Sequence, residues 1–197
     1  SQWYRSFGTA ESPGTMVFSL NEDVNRPGIY ELPFGTPLRT LIEDCGGGAK
    51  NGKPIRAILP GGPSSAFLSP DKLDVPLDHK SVRAAGSTIG CGVVRLVTEG
   101  TCIVEEVLKI AEFFAKECCD QCPACRMETN MLTAILKKVQ AGQGNEAMLD
   151  QFNKVISFNK GKGFCNLINM PGPPIESALS LFRSDFEFHL ANGHCPD

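Results

Sequence analysis

Apolar and polar positions follow two rhythms along this chain, and the change comes near residue 100. Before it, Thr15-Met16-Val17-Phe18-Ser19-Leu20 is β-branched and apolar enough for a strand, and Gly28-Ile29-Tyr30-Glu31-Leu32 reads as its hairpin partner. Pro27-Gly28 is expected to make the turn, proline presetting one corner and glycine taking the positive φ of the next. Thr36-Pro37-Leu38 has the form of a helix start, with Thr36 as cap and Pro37 at the first position. That helix would bury Leu38, Leu41 and Ile42 and stop at Gly46-Gly47-Gly48. Ile55-Arg56-Ala57-Ile58-Leu59 reads as another strand, halted by Pro60-Gly61-Gly62-Pro63. A loop rich in proline, aspartate and serine then leads to a closing strand at Gly92-Val93-Val94-Arg95-Leu96-Val97. Strands with one helix laid across them make a small sheet domain.

From Thr101 the period is helical. Val104, Val107, Leu108, Ala111 and Phe114 or Phe113 form a first stripe. Met131, Leu132, Ile135, Leu136 and Val139 form a second, in a helix opening at Pro123 and stopping at Gly142. Met148, Leu149, Phe152, Val155 and Ile156 mark a third helix. Pro171-Gly172-Pro173-Pro174 breaks the chain before a fourth, with Ile175, Ala178, Leu179, Phe182 and Phe186 inward. Four such helices close a bundle. The expected fold class is therefore α+β, with a linker at 1–14, a sheet domain at 15–100, a helical bundle at 101–190 and a frayed tail at 191–197. In that tail His194 and Cys195 are expected to face solvent.

Composition narrows the function. A net charge of −3 offers no electrostatic case for nucleic acid or an anionic membrane. No stretch approaches the ~20 apolar residues of a membrane span, and the N-terminus has no signal-peptide core, so a cytoplasmic setting without direct membrane insertion is expected. Gly61-Gly62 and Gly86-x3-Gly90-x-Gly92 lack the strand-to-helix context and the lysine of a phosphate-binding loop. Nine cysteines is an odd number. Without export they read as metal ligands and reduced core thiols rather than a disulfide framework.

The cysteines are not evenly spread. Cys119, Cys122 and Cys125 form a C-x2-C-x2-C run, and Cys165 follows after a gap. Three thiolates so spaced can wrap one face of a cubane while a fourth closes it from elsewhere, which points to a [4Fe–4S] cluster on Cys119, Cys122, Cys125 and Cys165. Pro123 fits a first helical position, placing Cys125 in a first turn whose N–H groups and dipole favour an anionic cluster, with Arg126 adding positive charge. Zinc competes for the same four sulfurs, although structural zinc usually draws on two separated C-x2-C knuckles. Cys118 could replace Cys119, but its spacing is less even and a helix can simply bury it.

The run Glu117-Cys118-Cys119-Asp120-Gln121-Cys122-Pro123-Ala124-Cys125-Arg126-Met127-Glu128-Thr129, with Cys165 and the segment Glu176 to His189, resembles the C-terminal half of the NADH-binding flavoprotein subunit of respiratory complex I. Diaphorase subunits of NAD-linked hydrogenases and formate dehydrogenases are similar. Asn25-Arg26-Pro27-Gly28-Ile29-Tyr30-Glu31, Gly35-Thr36-Pro37-Leu38 and Leu59-Pro60-Gly61-Gly62 resemble the β-grasp domain called soluble-ligand-binding. The resemblance implies a β-grasp spacer followed by a four-helix iron–sulfur bundle, with Cys119, Cys122, Cys125 and Cys165 as ligands. It implies an electron-transfer module that accepts electrons from a flavin/NADH-oxidising domain or subunit and passes them to other iron–sulfur subunits of an NADH dehydrogenase, hydrogenase or formate dehydrogenase complex. The alternative is a metal-stapled assembly module without redox work. FMN and NADH belong, in that family, to a glycine-rich domain that would precede Ser1, so this chain is expected to be a fragment or a relay fed by a partner. Two departures stand out: Glu128 where the family usually has glycine, and Asn166-Leu167-Ile168-Asn169 where it has Ala-Leu-Gly-Asp.

Overall fold

A computed structural model of the protein describes residues 1–196 and divides the chain into two compact units, the first ending at Glu99 and the second starting at Gly100. In the first, a short helix α1 (Gln2–Arg5) precedes strands β1 (Thr15–Leu20) and β2 (Gly28–Pro33), then β3 (Ile55–Leu59), helix α2 (His79–Ala84) and β4 (Val93–Thr98). The sheet order is β2-β1-β4-β3, antiparallel at both edges and parallel between β1 and β4. Alternation along β1 sends Phe18 and Leu20 inward and leaves Val17 exposed. Those two pack with Leu38, Leu41, Ile42, Ile58, Leu77 and Val94 into one core.

Three local expectations change. Gly28 pairs with Leu20 as the first residue of β2 and does not take a positive φ, so the connection is the longer 21–27 segment rather than a Pro27-Gly28 turn. Thr36 caps no helix: its hydroxyl donates to the Pro33 carbonyl at 2.7 Å, and Pro37 bridges to Pro76. The winding over Thr40–Cys45 is π-helical, closed by Gly46 N–H donating to the Leu41 carbonyl at 2.9 Å. Glycines Gly46 to Gly48 do end it, the last two at positive φ.

The loop expected before β4 contains α2, whose N-cap is Asp78. Its carboxylate accepts from the N–H groups of Lys80 and Ser81 at 3.0 and 2.8 Å. The glycine-rich stretches have a packing reason: a Cβ on Gly61 would lie 2.2 Å from the Thr88 carbonyl oxygen, and one on Gly90 2.0 Å from that of Gly61. Two backbones cross there, and only glycine fits.

The second unit holds α3 (Ile103–Glu117), α4 (Pro123–Gln140), α5 (Leu149–Asn159) and α6 (Gly172–Asn192). The helices pack side by side in the cycle α3, α4, α5, α6, and α4 also touches α6 across it. Val104, Val107, Ala111, Leu132, Leu136, Phe152, Ile175 and Phe186 form the buried faces. Phe114 is the buried member of its pair, whereas Phe113 and Met131 are exposed. The Pro173-Pro174 pair lies inside the first turn of α6, where missing N–H groups cost nothing, rather than before it. Phe182 interrupts the helical winding of α6 at φ −131°.

Candidate functional site

Cysteine chemistry gathers where α3 ends and α4 begins. Cys118 is the C-cap residue of α3, its N–H donating to the Phe114 carbonyl, and Cys122 is the N-cap residue of α4. Between them Asp120 takes φ 60°, a left-handed conformation that aspartate tolerates better than most residues. This reversal lets three cysteines of so short a loop turn toward one point. The first-turn N–H groups of Ala124 and Cys125 have no carbonyl a turn earlier within the helix, so they present positive partial charge there.

A cavity of about 160 Å³ lies at this point, lined by Glu117, Cys118, Cys119, Cys122, Cys125, Gly163, Cys165 and Leu167. All four cysteines singled out in the sequence reach it, together with Cys118. Cys122 and Cys125 are buried, and Cys119 and Cys165 are exposed at its rim. Its floor is apolar, with Ile168 and Leu167 packed against Cys122, Cys125 and Cys118. Phe164 N–H donates to Cys122 Sγ at 3.2 Å, a bond that stabilises a thiolate.

The second segment is held by the Asn166-Leu167-Ile168-Asn169 stretch. Asn169 Oδ1 accepts from Gly161 N–H at 3.0 Å, and its amide donates to Asn166 Oδ1 at 2.9 Å, closing the 161–169 loop that carries Cys165. Ile168 is buried beneath the cysteines. No hydrophobic period announces these partners, because they lie in a single 3₁₀ turn, Asn166–Asn169, too short to show one.

Crowded, partly buried thiols set the electrostatics. Burial, then the Cys118 thiol 3.6 Å away, then the neighbouring Cys118, Cys122 and Glu128 charges push the Cys125 thiol up to about 12. The donor set fits a thiophilic metal centre: several sulfurs, an N–H···S bond, a helix N-terminus and space for several water-sized atoms. Arg126 contributes less than its sequence position suggests, since it pairs with Asp120 at 3.8 Å and both side chains are largely exposed. Glu128 neither reaches water nor pairs with Lys116 or Arg126. It is fully buried, neither carboxylate oxygen has a hydrogen-bond partner among the described residues, and burial pushes its pKa up to about 7.

Comparison with known proteins accords with this geometry. Residues 105–189 match the NADH-ubiquinone oxidoreductase-F iron-sulfur binding region, and residues 22–68 match the SLBB domain. Over 194 residues the chain is 39% identical to the F subunit of the NADH-quinone oxidoreductase of Streptomyces coelicolor, covering 98% of this chain and 43% of that protein. It is 34% identical over 196 residues to HndC, a subunit of the NADP-reducing hydrogenase of Solidesulfovibrio fructosivorans, covering 100% of this chain and 40% of the other. The crystal structure of an NAD+-reducing [NiFe]-hydrogenase in the H2-reduced state superposes with a TM-score of 0.83 at 27% identity, covering 96% of this chain and 32% of that one. The chain thus spans less than half the length of these relatives. With an SLBB domain followed by an iron–sulfur binding region, the chain is similar to part of the NADH-quinone oxidoreductase F subunits and to part of the related hydrogenase subunits.

Proposed function

We propose that the helical unit binds one [4Fe–4S] cluster through Cys119, Cys122, Cys125 and Cys165. In this reading the chain is an electron relay that takes electrons from a flavin/NADH-oxidising domain or subunit and passes them to further iron–sulfur subunits of an NADH-linked oxidoreductase complex. The observation that carries it is the convergence of the Cys119-Cys122-Cys125 run and the sequence-distant Cys165 on one apolar-floored cavity. When bound, the cluster would supply reversible one-electron storage. The chain's residues do the rest. Cys122 is preorganised by the Phe164 N–H, the first turn of α4 offers N–H groups to negative charge, and Leu167 and Ile168 keep water from the inner side. Cys125, whose thiol holds its proton in the absence of metal, must give it up on loading, so assembly should be favoured as pH rises.

Cys118 shares the cavity but is the bystander in this assignment. Iron and acid-labile sulfide, measured after anaerobic reconstitution with electron paramagnetic resonance before and after dithionite, test it. Wild type and Cys118→Ala should hold equal iron and sulfide and show a reducible signal, while Cys122→Ala and Cys165→Ala should not. Full occupancy in both of the latter variants, or a colourless zinc-loaded wild type, would overturn the reading.

A further inference from the structure

A second group of soft ligands lies at the opposite end of α3. Cys102, the N-cap residue of that helix, His189, near the end of α6, and Cys195, beyond it, have potential ligand atoms that all lie within 4.8 Å of one another. His189 Nε2 is 3.2 Å from Cys102 Sγ and 3.3 Å from Cys195 Sγ. Helical rise along α3 separates Cys102 from Cys118 by roughly 24 Å, so this group cannot serve the cysteine cavity.

The tail that supplies Cys195 is held in place. Gly193 adopts φ 74° and donates its N–H to the His189 carbonyl at 2.8 Å, which turns the chain back over the end of α6. A Cβ on Gly142, just past α4, would come within 2.8 Å of Gly193 Cα, so backbone packs on backbone at this turn. Cys195 is half-buried as a result, not solvated as its place near the C-terminus suggested, while His194 is exposed. The His189 ring is buried, and its Nδ1 has no hydrogen-bond partner among the described residues.

We propose that Cys102, His189 and Cys195 form a zinc site that ties the start of α3 and the end of α6 to the C-terminal tail. Two thiolates and an imidazole suit zinc. With Zn–S of about 2.3 Å and Zn–N of about 2.0 Å, a tetrahedron places sulfur about 3.5 Å from nitrogen. The two nitrogen–sulfur spacings need open by only a few tenths of an ångström. A water molecule or another exogenous ligand completes the coordination. Loading releases the two thiol protons to solvent and involves no change of oxidation state.

The test compares wild type with Cys102→Ser and Cys195→Ser, each loaded with zinc sulfate, freed of excess metal and analysed for bound zinc. Serine still caps α3, so the first variant keeps the hydrogen bond that Glu105 N–H now gives to Cys102 Sγ. The cysteine loop is identical in all three proteins, so the difference reads this site alone, whatever the loop holds. One equivalent of zinc present in wild type and lost from both variants, with circular dichroism unchanged, is the expected result. Cobalt should give wild type a thiolate charge-transfer band that each variant diminishes. Equal zinc in all three proteins, or a Cys102–Cys195 disulfide that forms in the presence of zinc under reducing conditions, overturns the proposal.

Discussion

Glu128 is the residue whose surroundings most contradict its chemistry, a carboxylate with no exposed area one helical turn beyond Cys125. Its proton is held to about 7 against an ordinary value of 4.5, and burial is the cause. Below the ordinary value, folded and unfolded chains are both protonated and Glu128 is neutral to stability. As pH rises from there to about 7 the unfolded chain ionises while the fold retains its proton, so stability falls, by at most about 3 kcal/mol once the rise is complete. Urea unfolding at pH 5 and pH 8 should therefore show a smaller loss in Glu128→Gln than in wild type; equal losses would clear Glu128 as the source. The same ionisation opposes adding an electron nearby. In the loaded protein the midpoint potential should fall as pH rises through the titration of Glu128, by no more than about 59 mV per unit, and Glu128→Gln should flatten that slope. Potentiometric titration at several pH values decides it. The sequence showed Glu128 on the ligand's side of the helix but not its burial, which depends on residues contributed by other helices.

At the scale of elements, the strands and four long helices were legible because each repeats its apolar positions with its own period. What escaped was short or irregular. The six-residue helix α2 has too few turns to show a period, and its signal was the single Asp78 cap. The π-helical turn at Thr40–Cys45 keeps Leu41 and Ile42 inward as an α-helix would, so hydrophobicity alone cannot distinguish the two. Asp78→Ala should cost about 1–2 kcal/mol, the upper part of the capping range, because the buried carboxylate also accepts from the Ser81 hydroxyl. Chemical denaturation of the variant checks this, and a change below about 0.3 kcal/mol would show that α2 is held by packing instead. Gly61→Ala should be worse. Its Cβ meets backbone rather than a movable side chain, so loss of soluble protein or a steep drop in melting temperature is expected.

For the whole molecule, two units of different construction imply two responses to metal. The first unit contains its own sheet core, whereas the second gathers several thiols around a cavity. Metal that binds only folded thiol clusters adds its binding free energy to the fold that makes them. Reconstitution should therefore raise the thermal midpoint of the transition that carries the helical circular dichroism signal and leave the sheet unit's transition in place. A chelated sample that keeps the loaded protein's helical midpoint would show that the metal contributes nothing to folding. The Cys119-Cys122-Cys125 run, which shares its cavity with Cys165, was visible as spacing, while the grouping of Cys102, His189 and Cys195 was not. They share no local motif, and only the turn at Gly193 brings the tail back to the helix.

The unequal exposure of the four proposed ligand cysteines also makes the site readable by covalent labelling. In the reduced, metal-free chain a maleimide should modify rim residues Cys119 and Cys165 first, and reach Cys125, shielded and held protonated, last. The order of mass increments thus becomes a footprint of the cavity. An occupied cavity would protect all four together, turning a graded ladder of adducts into a single block.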